Sequence, residues 1–570
     1  MKKPIIQFKN FTFKYRSQTE PTLQNINLTI YEGEKVLIVG PSGSGKSTLA
    51  HCMNGLVPFS YDGDIDGSLI IQGKKSEELD IFSISKIVGT VLQDPDGQFI
   101  GLSVGEDIAF SLENDCVSQD EMRKRVIDIA GLVDMDKYLK SPLHQLSGGQ
   151  KQRVSLGGVM VDQVDILLFD EPLANLDPAT GKHAISLIDQ IHQESNTTTI
   201  IIEHRLEDVL YCNVDRIIVV DEGKIVSDST PHELLSSSVL ETSNIREPLY
   251  VKALKYAGCE VTPEIKPAYL ETVEINQCKK KLLSWYEASA PPIPSRKTAP
   301  ILEVDHVSFS YDQNKTTLQN ISFSVDKGEM VSIVGKNGAG KSTLSKLICG
   351  FEKVQSGQIH YNGVDITNDT IHDRSMRIGM VMQNPNQMIS KHMIFDEVAL
   401  GLVMRGVPED EIEDRVHQTL KICGLYPFRN WPISALSFGQ KKRVTIASIL
   451  VLNPEVLILD EPTAGQDFRH YTEIMEFLVE LNKQGVTILM VTHDMHLMLE
   501  YTSRAIVVAD GNIIADDLSV NILTNETIIE QANLKETSLF ELAIRAGIDE
   551  PKEFVTRFIS YDRKVRESWQ

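Results

Sequence analysis

The feature that most restricts the possible folds is a glycine-rich loop that occurs twice, as GPSGSGKST at residues 40–48 and as GKNGAGKST at 335–343. Both copies match G-x-x-x-x-G-K-[ST], and each follows an apolar run, VLIVG or VSIVG, that predicts a strand. Glycines let backbone N–H groups curl around phosphate oxygens, while the lysine reaches the terminal phosphates and the next hydroxyl reaches Mg²⁺. Two matches in the same context favour phosphate binding over coincidence.

The loops define the predicted phosphate sites. Lys46 and Lys341 are expected to meet the β- and γ-phosphate oxygens, and Ser47 and Ser342 to meet Mg²⁺. The complete sets are Gly40, Pro41, Ser42, Gly43, Ser44, Gly45, Lys46, Ser47 and Thr48 in the first loop, and Gly335, Lys336, Asn337, Gly338, Ala339, Gly340, Lys341, Ser342 and Thr343 in the second.

The loops belong to a longer internal repeat, in which residues 11–49 realign with 307–344. Equivalent residues lie 289 to 296 positions apart, and the pairs are Tyr15 with Tyr311, Lys46 with Lys341, Glu171 with Glu461, and His204 with His493. A period of this length indicates two whole domains and not a solenoid. We expect a first domain at 4–240, a connector at 241–300 that resembles neither copy and is Pro-rich at its end, a second domain at 301–530, and a helical extension at 531–570.

Short apolar runs alternate with helical stretches in each copy: VLIVG, ILLFD and TIIIEH in the first, and VSIVG, VLILD and ILMVTH in the second. This pattern predicts an α/β fold, with a buried parallel sheet flanked by helices. Phosphate chemistry is then expected at the carboxyl ends of the strands.

Two carboxylates end a predicted strand in each copy, in ILLFDEP (166–172) and VLILDEP (456–462). Asp170 and Asp460 are placed to hold Mg²⁺, and Glu171 and Glu461 to orient or polarise the attacking water. A strand that ends in DE is usually only solvated, but its pairing with the loops favours the catalytic interpretation.

The segments LSGGQ (146–150) and LSFGQ (436–440) lie at the same spacing before the glutamates, 24 residues counted from the serine. This signature resembles that of the ABC ATPase family, and the resemblance covers about 460 of the 570 residues. It implies two tandem ABC-type P-loop NTPase domains, each with a parallel core sheet, an antiparallel β subdomain and an α-helical subdomain. It also implies binding and hydrolysis of ATP with Mg²⁺.

The resemblance assigns further roles. Tyr15 and Tyr311 resemble the family's adenine-stacking aromatics. Gln93 and Gln383 resemble its Mg²⁺-sensing and coupling glutamines. His204 and His493 resemble its switch histidines at the γ-phosphate. The signature residues Ser147, Gly149, Ser437 and Gly439, with Asp177 and Asp467 of the loop that crosses between cassettes, complete the implied set. In the family, cassettes pair head to tail with ATP between loop and signature, so the two cassettes are expected to pair within this chain.

The second signature has Phe438 where the first has Gly148. Glycine allows backbone conformations and close approaches that other residues do not, so the substitution predicts unequal sites. Head-to-tail pairing would set the altered signature against the first loop. We therefore expect Glu461→Gln to lower ATP hydrolysis at least as much as Glu171→Gln.

A finer resemblance is to the energy-coupling factor importers, in which paired ATPases drive a membrane scaffold and a small substrate-binding membrane protein. Residues 93–114, 383–402 and 200–209 carry it. It implies a peripheral protein on the cytoplasmic face of the cell membrane, which imports a vitamin, a vitamin precursor or a metal ion through those two partners. No apolar run reaches the roughly 18 to 20 residues of a membrane span. Docking is expected near 94–110 and 384–400, where charge reversal at Glu106 or Glu397 should loosen it.

Two alternatives remain at this point. A tandem-cassette ATPase acting on the ribosome or nucleic acid is disfavoured by the net charge of −23 and by a connector with nine basic and seven acidic residues. Repair members of the family carry zinc-binding cysteine clusters, whereas the seven cysteines here form no CxxC pair. A fused sugar importer usually pairs one intact with one degraded site, whereas both copies here are complete.

Overall fold

The computed structural model describes residues 3–93, 95–174, 176–195, 197–289, 299–312 and 316–567. The chain divides into two compact units, one formed by Met1–Trp285 with Asp467–Arg469 and the other by Tyr286–Gln466 with His470–Gln570. Each contains one copy of the repeat.

The first unit has an antiparallel and a mostly parallel sheet. Its strands are β1 (Pro4–Tyr15), β2 (Leu23–Tyr31), β3 (Lys35–Val39), β4 (Gly63–Ile71), β5 (Lys74–Lys75), β6 (Val88–Val91), β7 (Ile166–Asp170), β8 (Thr198–Ile202), β9 (Arg216–Asp221) and β10 (Lys224–Ser229). The antiparallel sheet has the order β2-β1-β4-β5. The other has the order β10-β9-β3-β8-β7-β6, and only β10 runs antiparallel to its neighbour.

Helices cover these sheets and form a separate helical group, α4 to α6, ahead of β7. The helices are α1 (Lys46–Met53), α2 (Leu56–Phe59), α3 (Ile81–Ser85), α4 (Val104–Asn114), α5 (Gln119–Leu132), α6 (Gly148–Met160), α7 (Pro178–Ser195), α8 (Leu206–Val209), α9 (Pro231–Ser236), α10 (Val239–Thr242), α11 (Leu249–Tyr256) and α12 (Lys279–Ala288).

The second unit repeats the two sheets. Its strands are β11 (Pro300–Phe309), β12 (Leu318–Asp326), β13 (Met330–Val334), β14 (Ser356–Tyr361), β15 (Val364–Asp365), β16 (Ile378–Val381), β17 (Val456–Asp460), β18 (Thr487–Val491), β19 (Arg504–Ala509) and β20 (Asn512–Leu518). The orders are β12-β11-β14-β15 and β16-β17-β18-β13-β19-β20, and β20 is again the antiparallel edge of the second sheet.

The helices of the second unit follow the same plan, with α15 to α17 as the helical group. They are α13 (Lys341–Cys349), α14 (Ile371–Ser375), α15 (Ile394–Met404), α16 (Glu409–Ile422), α17 (Phe438–Leu450), α18 (Phe468–Lys483), α19 (Met495–Tyr501), α20 (Ser519–Ile522), α21 (Glu526–Ala532), α22 (Ser538–Ala546) and α23 (Pro551–Glu567). The α/β fold with antiparallel β and α-helical subdomains, predicted from the sequence, is confirmed.

The central strands are mostly apolar because both faces of the sheet are covered. Every residue of β3, β8 and β18 is buried. In each unit, one hydrophobic core joins the antiparallel sheet, the central strands and the helix after the glycine-rich loop. That loop is therefore held between two firmly packed elements.

A helix that ends at a glycine occurs in both the predicted connector and the predicted C-terminal extension. LYVKALKYAG (249–258) contains α11 and LFELAIRAG (539–547) contains most of α22, and each helix is followed by a glycine with positive φ, 72° at Gly258 and 69° at Gly547. Only glycine adopts this conformation readily, so the shared glycine marks the shared helix end. Across the described ranges of the chain, no helix combines the length and the apolar character that crossing a membrane requires.

Candidate ATP-hydrolysing sites

The first glycine-rich loop runs from the end of β3 to the start of α1. Gly43 and Gly45 have φ values of 77° and 103°, in the left-handed region that favours glycine. The Lys46 ammonium donates to the carbonyls of Gly40 and Pro41, both at 2.9 Å. Burial lowers the pKa of Lys46 to about 8, against the opposing charge of carboxylates such as Glu171. The loop thus curls around the Lys46 ammonium and ends at the N-terminus of α1. This arrangement favours binding of an anion.

The second loop has the same geometry. Gly338 and Gly340 have φ values of 77° and 103°, and the Lys341 ammonium donates to the carbonyls of Gly335 at 2.7 Å and Lys336 at 3.0 Å. All nine residues of each predicted loop therefore lie where the sequence placed them, between a buried strand and a helix start.

Asp170 and Asp460 end strands β7 and β17. Burial and the neighbouring Glu171 raise the pKa of Asp170 to about 6. Its buried Oδ1 has no hydrogen-bond partner among the residues that the structure describes. The pKa of Asp460 is likewise raised by burial and by Glu461, while a hydrogen bond from Ser342 opposes the rise. A buried carboxylate with an unused oxygen, or one beside the loop serine, has the donors that Mg²⁺ prefers.

Glu171 is held by two side chains that the sequence singled out. The Gln93 amide donates to Glu171 Oε2 at 2.6 Å, and His204 Nε2 lies 2.7 Å from Oε1. Burial raises the pKa of Glu171, but the hydrogen bond and charge of His204 and the charge of Lys46 outweigh it, so the pKa lies below its usual value. The carboxylate is therefore ionised and fixed in direction.

Glu461 is held similarly but not identically. His493 lies 2.7 Å from Glu461 Oε1, through Nδ1 and not Nε2. The hydroxyl of Thr492 donates to Oε2 at 3.3 Å, whereas the first cassette has buried Glu203 at that position. Gln383 lies just after β16, as Gln93 does after β6. Both glutamates have positive φ, 51° for Glu171 and 48° for Glu461, a strained conformation that clusters at functional sites.

The two aromatic candidates lie at the ends of β1 and β11. The Tyr15 hydroxyl is 3.1 Å from Thr48 Oγ1 of the loop, and its ring packs edge-on against Phe13. Tyr311 packs edge-on against Phe309 and is 54% exposed. Tyr15 therefore lies beside the first loop, whereas Tyr311, two residues beyond β11, is the more exposed of the two.

Each signature begins a helix through a capping box. Ser147 Oγ accepts the N–H of Gln150 at 3.4 Å, and the Gln150 side chain accepts the N–H of Ser147 at 2.9 Å; Ser437 and Gln440 make the same pair at 3.2 and 3.0 Å. The side chain of Phe438 lies outside the described residues.

The signature glycines differ in the space around them. A Cβ on Gly148 would have one neighbour, at an ordinary 3.8 Å, whereas one on Gly149 would lie 2.5 Å from Thr180 Cγ2. Gly439 is buried, and a Cβ added to it would lie 3.1 Å from Gln466 Oε1. A side chain thus fits at Gly148 without rearrangement, whereas one at Gly149 or Gly439 requires a neighbouring group to shift.

The aspartates of the crossing loop are both buried. Asp177 Oδ1 accepts the N–H of Thr180 at 2.9 Å, so it caps the start of α7. Asp467 immediately precedes α18. Asp177 therefore helps to fix the start of α7.

The glutamates expected to dock a partner instead make hydrogen bonds within their own loops. Glu106 Oε2 accepts the N–H groups of Leu102 and Ser103, both at 3.1 Å, and buried Glu397 accepts those of Ser390 and Lys391. Charge reversal would therefore disturb the loop itself. The exposed apolar residues beside Glu106, Leu102 at 84% and Ile100 at 62%, are better probes. Asp94, within the expected docking region, lies outside the described residues.

One residue of the second site was missed by the sequence reasoning. Lys442 is buried against the backbone of Gln383 and Glu461. The available signal was a mismatch in the aligned repeats, where the run after the signature reads KQR in the first copy and KKR in the second.

Comparison with known proteins agrees with this geometry. A family model described as ABC transporter matches residues 23–174 and 318–464, and one described as ATP-binding cassette cobalt transporter matches 237–309. Proteins named as ABC transporter ATP-binding proteins from Clostridium perfringens and Enterococcus faecalis are each 60% identical, over 99% of this chain and 100% of their own length.

Among solved structures, CbiO1 from Clostridium perfringens, described as part of the ABC transporter complex CbiONQ, is 37% identical. The match covers 41% of this chain and 94% of that one, with a TM-score of 0.38.

Proposed function

This chain belongs to the family of ABC transporter ATP-binding proteins, and we propose that it is the ATP-hydrolysing motor of an energy-coupling factor type importer. The observation that supports two working sites is that each cassette keeps its glutamate in contact with its histidine, at 2.7 Å in both. The cargo we propose is a small solute: a vitamin, a vitamin precursor or a metal ion. The match of 237–309 to a cobalt-transporter family supports testing a metal ion first.

We propose that the glycine-rich loops bind the phosphates of ATP through backbone N–H groups, with Lys46 and Lys341 balancing their charge. In place of its present carbonyl partners, each lysine would turn to the β- and γ-phosphate oxygens. Ser47, Asp170 and Gln93 in the first cassette, and Ser342, Asp460 and Gln383 in the second, would hold Mg²⁺. The ion, when bound, supplies positive charge against the phosphates.

Glu171 and Glu461 would then act on the attacking water. An ionised carboxylate can accept a hydrogen bond from the water and polarise it. This works only if the carboxylate is held in the right orientation. Gln93 and His204 do this for Glu171, and His493 with Thr492 for Glu461. Tyr15 and Tyr311 would lie against the adenine. The remaining roles in nucleotide binding would fall to the signature residues and the crossing-loop aspartates: Ser147, Gly149 and Asp177, with their counterparts Ser437, Gly439 and Asp467.

The proposed partners are a membrane scaffold and a substrate-binding membrane protein, docked beside 94–110 and 384–400 at the cytoplasmic face. Exposed Ile100 and Leu102 lie seven and nine residues after Gln93 and offer apolar contact area to a docked helix. A docked helix at this place could move Gln93 and with it Glu171, which would link transport to hydrolysis.

Co-purification from detergent-solubilised membranes tests the proposal. The unaltered chain should bring down integral membrane proteins, and Leu102→Glu should reduce their recovery by about tenfold or more because a charge replaces apolar contact. Val226→Glu, at a 47% exposed site on β10, is the matched control and should not. Recovery of ribosomes instead of membrane proteins would contradict the importer and favour the soluble alternative.

A further inference from the structure

Lys442 is a charged residue of the second cassette that has no role in the ATP hydrolysis proposed for Glu461. It lies in the first turns of α17, four residues after Phe438, and is 1% exposed. Burial lowers its pKa to about 8, against the charges of Asp460 and Glu461. A buried ammonium is costly unless each of its three N–H donors has a partner. The structure therefore had to provide acceptors for it.

The acceptors are three backbone carbonyls from two segments. Lys442 Nζ donates to Met382 at 2.8 Å, to Gln383 at 2.7 Å and to Glu461 at 3.5 Å. Met382 and Gln383 directly follow β16, and Glu461 directly follows β17, its parallel neighbour in the sheet. The lysine thus ties together the ends of two adjacent strands at the residues where the site begins.

Glu461 needs such support because its φ of 48° is in the left-handed region. A non-glycine residue held there costs of order 1–3 kcal/mol and persists only where its surroundings fix it. Lys442 donates a hydrogen bond to the carbonyl of Glu461 and so helps to restrain the backbone that carries its carboxylate.

The first cassette has a neutral side chain at the equivalent position. This residue is Gln152, whose amide donates to the carbonyl of Pro172, one residue beyond Glu171. There the Gln93 side chain contacts the Glu171 carboxylate directly. The two cassettes therefore differ in the side chain that binds the backbone beside their glutamates.

We propose that Lys442 is a positioning residue for ATP hydrolysis in the second cassette, which holds Gln383 and Glu461 in register through their backbone carbonyls. This role rests on the proposed function of Glu461. It acts on turnover and not on ATP affinity, since the lysine contacts no residue of the glycine-rich loop among its described hydrogen bonds.

Lys442→Met tests the proposal, because methionine keeps most of the volume and removes the donors. Lys442→Gln, which copies the first cassette, is the second variant should the methionine variant fold poorly. Lys353→Met removes an exposed ammonium from the same cassette, away from the site, and is the matched control. Photolabelling with azido-ATP in the cold reports binding, and labelling trapped by vanadate during turnover reports hydrolysis; mass spectrometry assigns each label to a cassette.

We expect Lys442→Met to lower trapped labelling of the second cassette by about tenfold or more, since small misplacements of catalytic groups have effects of this size. Cold labelling there should stay within about twofold. Lys442→Gln should give trapped labelling between that of the unaltered chain and that of Lys442→Met, and Lys353→Met should leave labelling of the second cassette unchanged.

Unchanged trapping in Lys442→Met and Lys442→Gln would overturn the role, and so would a parallel loss of cold and trapped labelling, which indicates a merely structural lysine. Absence of trapped label in the unaltered chain would instead overturn the proposed ATP hydrolysis itself.

Discussion

At the scale of single residues, the two sites are alike in their loops and differ in what surrounds the glutamates. Lys46 and Lys341 make the same pair of carbonyl contacts. The histidines contact the glutamates through different ring nitrogens, and Glu203 stands where the second cassette has Thr492. Such differences around a common core are the physical basis on which the two sites can turn over at different rates.

The signature glycines provide a residue-scale prediction. Gly149→Ala should lower kcat for ATP by about tenfold or more, because its Cβ would lie 2.5 Å from Thr180 Cγ2, so that either Thr180 or the start of α6 has to shift. Gly148→Ala should retain kcat within about twofold, since the new Cβ meets only open space and one ordinary contact. Phe438→Gly should leave activity equal or raise it. Steady-state ATPase assays of the three variants test these expectations. A Gly148→Ala variant as impaired as Gly149→Ala would contradict the difference expected between the two glycines.

At the scale of secondary-structure elements, the C-terminal helix α23 is fastened to α19, which follows His493. Arg566 pairs with Glu500 at 3.3 Å and Asp562 at 2.9 Å, and both carboxylate side chains are only 3% exposed. Arg566 also donates to the Tyr501 hydroxyl at 3.0 Å. One arginine therefore compensates two buried charges and anchors the end of the helix.

Arg566→Met is expected to lower the free energy of unfolding by about 3–5 kcal/mol, because it removes a cation that is paired with two buried carboxylates. Lys564→Met removes one charge from a more accessible position on the same helix and should change stability by less than about 0.5 kcal/mol. Denaturant unfolding followed by circular dichroism measures both. Equal effects of the two substitutions would show that the ion network does not anchor α23.

At the scale of the whole molecule, the repeat places one complete set of phosphate-binding and acidic residues in each unit. This arrangement supports the proposal that both cassettes hydrolyse ATP. The membrane partner is expected from the family and from the exposed residues near Gln93.

Combined Lys46→Ala and Lys341→Ala should reduce ATP hydrolysis by about a hundredfold or more, because both loops lose the cation that meets the phosphates. The chain should stay folded, which circular dichroism can check. Lys74→Ala with Lys353→Ala removes the same charge from positions outside both loops and is the control. Undiminished hydrolysis in the loop variant would contradict the assignment of both sites.

Local sequence alone determined the loops, the acidic strand ends and the buried central strands of each sheet. The glycine-rich loop needs particular residues at fixed spacing, and a strand buried on both faces is mostly apolar, so both features are readable from short segments. The contact of Glu171 with His204 could be expected only through the family resemblance, since 33 residues separate the two.

Tertiary structure decided the rest. Lys442 reaches Met382 across 60 residues, and Arg566 reaches Tyr501 across 65, and neither contact follows from any local pattern. Glu397 was expected at a docking surface, but packing buries it and its carboxylate binds N–H groups of its own loop. Burial depends on which elements meet in space, and a buried charge takes whichever acceptors or donors the fold brings to it. The sequence identifies the chemical groups of this protein, whereas only their packing determines which of them act together.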